Sequence, residues 1–190
     1  MTAKGKPASL AGVVLAVGES PWEGRAKASK QVSGGHITAV EHAVTVLKER
    51  CEPVVVVGSP GQSLPELPVL QVVRDDARGH GQLSAIGRGL HAAAEAGAEY
   101  ALVCSVEAEV LSANVIDVLT ARAAAVNADI VLPWDGKNHY LAAVYRTELA
   151  GLVDDLVASG ERSITALIAR VDSQRVVISN PGSLADVQPA

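Results

Sequence analysis

The sequence predicts an α/β fold in which a mostly parallel sheet lies between layers of helices. Short β-branched runs alternate along the chain with Ala- and Leu-rich segments of helical periodicity, a pattern typical of βαβ units. Hydrophobic residues make up 48% of the 190 residues, aromatic residues only 3%, and Phe is absent. The core must therefore be built from Val, Leu, Ile and Ala, which suits a sheet that is buried on both faces.

The first half of the chain contains three predicted strands and one clear helix start. Residues 11–17 form the first predicted strand, and a polar loop follows it. A helix is predicted from Thr38, because Thr38 and Glu41 have the spacing of a capping box ahead of an apolar face. Residues 53–58 are almost entirely apolar, as expected of a strand covered on both faces, and residues 71–73 form a short third strand.

The second half continues the alternation of helices and strands. Its first helix is predicted to stop at Gly97, because glycine commonly ends helices in the left-handed conformation. Residues 139–145 alternate in polarity more than the other strands, which predicts an antiparallel or an edge element. The other predicted elements are helices at about 83–96, 113–126, 148–158 and 163–170, and strands at 100–106, 129–133 and 175–179.

Length and composition limit both the domain count and the function classes. A chain of 190 residues suits one domain, predicted to span 1–190 with a flexible tail at 1–9. The net charge of -5 argues against generic binding to nucleic acid or to anionic membranes. No apolar run approaches about 20 residues and the first residues lack a signal-like apolar region, so we expect a cytoplasmic protein without a membrane span.

The cysteines and histidines have no metal-ligand spacing. Cys51 and Cys104 are predicted to be buried, reduced thiols. His80, His91 and His139 are predicted to be surface or hydrogen-bonded residues, and His139 is the one nearest to the expected cleft.

Three polar segments follow predicted strands, at the sheet edge where ligands bind in open α/β sheets. Residues 18–27 combine glycines with positive charge, which suits a phosphate cradle. Residues 74–81 and 105–107 supply carboxylates, which Mg²⁺ accepts while it bridges to phosphates. The first loop matches neither the dinucleotide-binding pattern nor the P-loop pattern. From spacing alone, solvated loops with Asp75 and Asp76 in turn and capping roles are an equally good interpretation.

Four motifs in chain order resemble those of a known family. They are residues 15–28 (Leu-Ala-Val-Gly-Glu-Ser, then Gly-Arg-Ala-Lys-Ala), 75–86, 103–107 and 131–149. The sequence is thereby similar to the molybdenum-cofactor guanylyltransferases, the MobA-like nucleotidyltransferases. Their opening motif is Leu-Ala-Gly-Gly-x-Ser-x-Arg-Met-Gly-x-Asp-Lys-Ala, followed by Asp…Gly-Pro-Leu-x-Gly-Ile and by a strand that ends in Asp-x-Pro. The similarity extends over nearly the whole chain.

The resemblance implies both a fold and a reaction. The fold is a single Rossmann-like, three-layer nucleotidyltransferase domain with a mixed, mostly parallel sheet flanked by helices. The reaction is the transfer of GMP from GTP to molybdopterin, with Mg²⁺, to give the guanine dinucleotide form of the molybdenum cofactor and pyrophosphate. Other cofactor-assembly proteins or molybdoenzymes are further partners that such a function allows.

The resemblance also implies roles for individual residues. The nucleotide-binding residues would be Leu15, Ala16, Gly18, Lys27 and Asp75. The catalytic residues would be Lys27 and Glu107, with Glu107 also the metal ligand. The second substrate would lie near Asn138, His139 and Tyr140.

Several residues of the expected site depart from the family pattern. Val17 stands where the family has a glycine of its Leu-Ala-Gly-Gly motif; a β-branched side chain there would be strained if the position needs a positive φ, or would block a close ligand. Trp22 and Glu23 replace Arg and Met, which removes a cation and adds an anion at a polyphosphate site. Ala26 and Glu107 each stand where the family has Asp.

These departures leave three functions open. The favoured one is a guanylyltransferase with an altered loop. The second is a non-catalytic relative that binds a nucleotide, a pterin or another cofactor-assembly protein. The third is a nucleotidyltransferase that uses another nucleoside triphosphate, because one fold hosts many chemistries.

Overall fold

The computed structural model describes residues 9–17, 37–75, 81–108 and 111–178. The strands are β1 (Leu10–Leu15), β2 (Val54–Gly58), β3 (Gln71–Arg74), β4 (Tyr100–Ser105), β5 (Ile130–Trp134), β6 (Ala142–Arg146) and β7 (Ser173–Val177). The helices are α1 (Ala39–Lys48), α2 (Gly81–Glu95), α3 (Ala113–Val126), α4 (Ala150–Ala158) and α5 (Ile164–Ile168), with a 3-10 turn at Thr147–Leu149. Every predicted strand and helix is present, with bounds that shift by a few residues.

The strands of the described residues form one mixed sheet in the order β3-β2-β1-β4-β6-β5-β7. All neighbouring pairs are parallel except those of β6, which is antiparallel to both β4 and β5. The antiparallel interpretation of residues 139–145 is therefore confirmed, and the edge interpretation is wrong. The polarity that suggested an edge belongs to His139 and Tyr140, which precede the strand, whereas Ala142 to Tyr145 are buried.

Helices cover both faces of the sheet. Successive residues of β1 alternate between two core clusters, as the two-residue period of a strand requires. One cluster contains Leu10, Val14 and Ala16 with buried residues of α1 and α3. The other contains Ala11, Val13 and Leu15 with buried residues of α2, α4 and α5. This three-layer arrangement confirms the predicted fold class.

The local signals found in the sequence act at the helix ends. The Thr38 backbone N–H donates to Glu41 Oε2 at 2.7 Å and the Glu41 N–H donates to Thr38 Oγ1 at 3.4 Å, which completes the predicted capping box. Gly97 follows α2 with a φ of 83°, as predicted.

Cys51 and Cys104 are buried and free. Burial raises the pKa of the Cys51 thiol to about 12 and that of Cys104 further.

Within the described ranges, none of the helices has the length and apolarity that a membrane crossing requires. Residues 1–8 lie outside the described residues, so the predicted flexible tail stays a prediction. The Ser9 hydroxyl, next to that segment, donates to the Gly97 carbonyl at 3.1 Å.

Two glycines in helices differ sharply in their surroundings. A Cβ on Gly89, in the middle of α2, would lie 2.3 Å from Val13 Cγ1 in the central strand β1. A Cβ on Gly151, in α4, would meet no atom within 4 Å. Only the first glycine is therefore required by helix-to-sheet packing.

We predict that Gly89→Ala lowers the free energy of unfolding by about 1 to 3 kcal/mol, because the stiff Val13 side chain must be displaced. Gly151→Ala is the matched control and should raise stability by up to about 1 kcal/mol through helix propensity. Urea denaturation of both variants measures the two changes. Equal effects would contradict this account of α2 packing.

Candidate active site at the carboxyl edge of the sheet

The carboxyl ends of β1 to β5 lie at one edge of the sheet, and the start of the antiparallel β6 joins them there. At this edge a cavity of about 430 Å³ opens beyond β4, β5 and β6. Its polar lining includes Glu107, Asp135, Lys137, Asn138, His139 and Tyr140. The cavity therefore contains Glu107 and all three residues assigned by resemblance to the second substrate.

Asp75 lies further along the same edge, directly after β3. Only 8% of Asp75 is exposed, and its Oδ1 accepts a hydrogen bond from the hydroxyl of Ser84 at 2.8 Å. Its backbone N–H donates to the Gly58 carbonyl at 2.9 Å. A buried carboxylate is costly unless it is hydrogen bonded, so Ser84 in the first turn of α2 stabilises Asp75 in this position.

Strand order separates Asp75 from Glu107. The strands β2 and β1 lie between β3 and β4, and neighbouring strands are about 4.8 Å apart, so about 14 Å separates the two strand axes. The described part of the site therefore has two regions, one around Asp75 and one in the cavity around Glu107.

Leu15 and Ala16 lie at the end of β1, between those two regions, and both are buried. The Ala16 N–H donates to the Val57 carbonyl at 2.8 Å. The Ala16 carbonyl accepts from Gln62 Nε2 at 2.9 Å, while Gln62 Oε1 accepts from the Ser59 N–H at 2.8 Å. Gln62 therefore fixes the backbone at the entrance to the polar loop. Gly18 and Lys27, in that loop, lie outside the described residues.

Val17 is accommodated without backbone strain. Among the described non-glycine residues, only Asn127 has a positive φ. The Val17 side chain packs against the core cluster that contains α2. The β-branched side chain at this position is thus compatible with the backbone, which removes one of the two concerns raised by the sequence. Trp22, Glu23 and Ala26 lie outside the described residues.

A turn after β4 carries Glu107. The Ser105 hydroxyl accepts from the Glu107 N–H at 3.3 Å, and the Ala108 N–H donates to the Ser105 carbonyl at 3.2 Å. The turn leaves Glu107 exposed at the cavity wall. Its carboxylate is therefore accessible from the cavity.

The segment 135–141 forms the opposite wall of the cavity and is held by side-chain hydrogen bonds. His139 Nε2 lies 2.8 Å from Asp135 Oδ1, and Asn138 Nδ2 donates to the Tyr140 hydroxyl at 3.0 Å. Arg175 of β7 donates from Nε to Asn138 Oδ1 at 2.7 Å. The hydrogen bond with His139 holds the pKa of Asp135 below its ordinary value of 3.8.

The sequence alone did not identify four polar residues of this region: Gln62, Ser84, Asp135 and Arg175. Ser84 carried a usable signal, because it is a polar residue on the apolar face of a predicted helix. Gln62 and Arg175 act on residues that are 46 and 37 positions away in the chain. No local pattern marks such contacts. His91 and His139 are hydrogen bonded to Asp154 and Asp135, as predicted, and His80 lies outside the described residues.

An open α/β sheet with carboxylates and a polar cavity at its carboxyl edge is typical of α/β proteins that bind ligands beyond the strand ends. Comparison with known proteins identifies the family to which this chain belongs. The model of the MobA-like NTP transferase domain matches residues 12–176. A probable molybdenum cofactor guanylyltransferase of Mycobacterium marinum is 53% identical over 182 residues, which cover 96% of this chain and 90% of the relative. The chain belongs to the MobA-like NTP transferase family.

Solved structures agree on the fold. Molybdopterin-guanine dinucleotide biosynthesis protein A from Archaeoglobus fulgidus superposes with a TM-score of 0.69 at 15% identity, covering 87% of this chain and 82% of its own. The 2-C-methyl-D-erythritol 4-phosphate cytidylyltransferase from Thermus thermophilus has a TM-score of 0.65 at 16% identity, with 90% of each chain covered. At these identities the likeness establishes the nucleotidyltransferase fold alone.

We predict that Ser84→Ala lowers the free energy of unfolding by about 1 to 3 kcal/mol, because it removes a hydrogen bond to a buried carboxylate. Ser63→Ala, at an exposed position between β2 and β3, is the control and should change stability by less than about 0.5 kcal/mol. Chemical denaturation at neutral pH compares the two variants. A change no larger for Ser84→Ala than for the control would show that Ser84 does not stabilise Asp75.

We predict that His139→Leu raises the pKa of Asp135 towards its ordinary value. A depressed carboxylate pKa stabilises the folded state above the ordinary value, and that contribution is lost as the pH falls through the folded-state pKa. The stability difference between wild type and His139→Leu should therefore shrink on acidification. Carboxyl-carbon NMR titration measures the pKa directly, with His91→Leu as the control. An unchanged Asp135 titration in His139→Leu would refute the assigned cause.

Proposed function

We propose that the protein transfers GMP from GTP to molybdopterin and so forms the guanine dinucleotide form of the molybdenum cofactor. The observation that carries this proposal is the 53% identity, over 96% of the chain, to a relative named a probable molybdenum cofactor guanylyltransferase. The cavity beside Glu107 supports it, because an exposed carboxylate there meets polar groups that suit a second substrate.

In the proposed reaction, the phosphate oxygen of molybdopterin attacks the α-phosphorus of GTP. A new P–O bond forms to the pterin phosphate, and the bond between the α-phosphorus and the bridging oxygen breaks, so pyrophosphate leaves with the electron pair. Such a transfer needs little covalent participation by the protein. Positioning of the two reactants and neutralisation of charge account for the rate.

The nucleotide would bind along the end of β1. Leu15, Ala16 and Gly18 would contact it, and Asp75 would contact its nucleoside end. Since the Ala16 N–H is used by Val57 and its carbonyl accepts from Gln62, a nucleotide contact at Ala16 would use the second lone pair of that carbonyl. Lys27 would neutralise phosphate charge during the transfer.

A Mg²⁺ ion fits the donor at Glu107. The described residues contain no group of three or more His, Cys, Asp or Glu side chains that could hold a metal ion by itself. Mg²⁺, however, usually keeps several waters and is held by one or two carboxylates together with substrate phosphates. Glu107 is an exposed hard oxygen donor of this kind. When bound, the ion would neutralise phosphate charge and orient the leaving group.

Molybdopterin would bind in the cavity between Glu107 and the segment 135–141. Asn138, His139 and Tyr140 would contact it, and Lys137 at the rim adds a positive charge suited to its phosphate. Cofactor-assembly proteins or molybdoenzymes would deliver or receive the pterin. This arrangement would bring the attacking phosphate to the metal ligand, as the in-line transfer requires.

We predict that the protein releases pyrophosphate from GTP only when molybdopterin and Mg²⁺ are both present. Glu107→Gln should lower the rate on the order of 100-fold, because it removes the charge that holds the metal. Glu161→Gln, at an exposed residue after α4, is the matched control and should leave the rate unchanged.

Two other results would replace the proposal. No turnover at high enzyme concentration, together with GTP affinity that Mg²⁺ does not increase, would indicate a non-catalytic binding protein. A larger thermal shift with CTP, UTP or ATP than with GTP would indicate a transferase of another nucleotide, since a ligand that binds only the native state raises its apparent stability.

A further inference from the structure

Arg175 reaches from the edge strand β7 to the segment that forms the cavity wall. It lies opposite Leu132 in the register between β5 and β7, and its Nε donates to Asn138 Oδ1 at 2.7 Å. Asn138 also forms an isolated antiparallel bridge with Trp134 at the end of β5. The Asn138 side chain is thus held by a residue outside the cavity lining.

Because guanidinium groups only donate hydrogen bonds, Arg175 determines which way the Asn138 amide faces. The amide oxygen must face Arg175, and the amide NH₂ group must then face the Tyr140 hydroxyl, to which it donates at 3.0 Å. An NH₂ group cannot accept, so the hydroxyl cannot donate back to Asn138. The Tyr140 proton is therefore directed to another acceptor.

Tyr140 is also fixed through its backbone. The Tyr145 hydroxyl, from the buried strand β6, donates to the Tyr140 carbonyl at 2.6 Å. Burial raises the pKa of Tyr145, so it remains a protonated donor at neutral pH. Tyr140 is therefore held at its hydroxyl by Asn138 and at its backbone carbonyl by Tyr145.

We propose that Arg175 is a positioning residue for recognition of the second substrate, because the chain of hydrogen bonds from Arg175 through Asn138 makes the Tyr140 hydroxyl a directed donor. The group it would recognise is a hydrogen-bond acceptor, such as a carbonyl oxygen or ring nitrogen of a pterin or an oxygen of its phosphate. This inference rests on the proposed function in its choice of substrate. The hydrogen-bond polarity does not depend on that function.

The test compares variants that keep, reverse or remove the polarity. Loss of one net hydrogen bond to the substrate corresponds to an increase in KM of about 3- to 10-fold. Arg175→Lys keeps a donor, so its KM for molybdopterin should stay within about 3-fold of the wild-type value. Arg175→Glu places an acceptor beside Asn138, so the amide turns over and its oxygen accepts the hydrogen bond of the Tyr140 hydroxyl. The KM for molybdopterin should then rise by about 3- to 10-fold or more. The KM for GTP and kcat should stay unchanged in both.

Two further variants separate positioning from charge and from general damage. Arg170→Glu makes the same charge change at an exposed residue after α5 and should leave all three parameters unchanged. In a Tyr140→Phe background, Arg175→Glu should have no further effect on the KM for molybdopterin, because the donor it orients is already gone. Additive effects of the two changes, or parallel losses in kcat and in the KM for GTP, would overturn the proposal.

Amide hydrogen exchange gives a readout that needs no turnover. Exchange in peptides covering residues 135–141 should be faster in Arg175→Glu than in wild type or in Arg170→Glu. Unchanged exchange would overturn the positioning role whatever the kinetics show. If the wild type fails to transfer GMP, the proposed function and the assignment of the second substrate fail together, while faster exchange would still establish the anchoring by Arg175.

Discussion

Burial of both faces of the central strands is the constraint on which this structure depends. The residues of β1, and those of β4 up to Cys104, alternate between two apolar clusters, so charged side chains are excluded from both faces of these strands. Charged and hydrogen-bonding groups must lie where the strands end. Since β1 to β5 are mutually parallel, their ends meet at one edge of the sheet. The same packing that forms the core thus gathers the polar residues into one candidate site.

The reversed strand β6 adds the second wall of that site. Because β6 runs antiparallel to β4, its beginning lies beside the end of β4, and the Ser105 N–H donates to the Leu141 carbonyl at 3.1 Å. This contact joins the turn that carries Glu107 to the segment that carries His139. A parallel strand in this place would begin at the opposite edge of the sheet, so the chain leaving β5 would have to cross the sheet before entering it. The inversion of one strand therefore creates the cavity.

Features with a local physical cause could be predicted from the sequence. The capping box at Thr38, the left-handed glycine after α2 and the apolar strands all have short-range signals, and all are present. The position of Asp75 and Glu107 after strand ends also followed from the pattern of strands. The central position of β6 did not, because strand order depends on crossovers that leave no local trace. The contacts of Gln62 and Arg175 were inaccessible for the same reason.

Asp75 and Val17 are described residues of the expected site, and their surroundings show whether this part of it is intact. Among the described residues, no buried side-chain nitrogen or oxygen lacks a hydrogen-bond partner. Asp75 remains a buried carboxylate with a hydroxyl donor, although an apolar residue there would avoid the cost of desolvation. Local costs of this kind are characteristic of functional sites. Val17, moreover, is accommodated without strain, so the change at that position does not distort the end of β1. The described residues of the expected site therefore form a hydrogen-bonded and unstrained frame beside the altered segment.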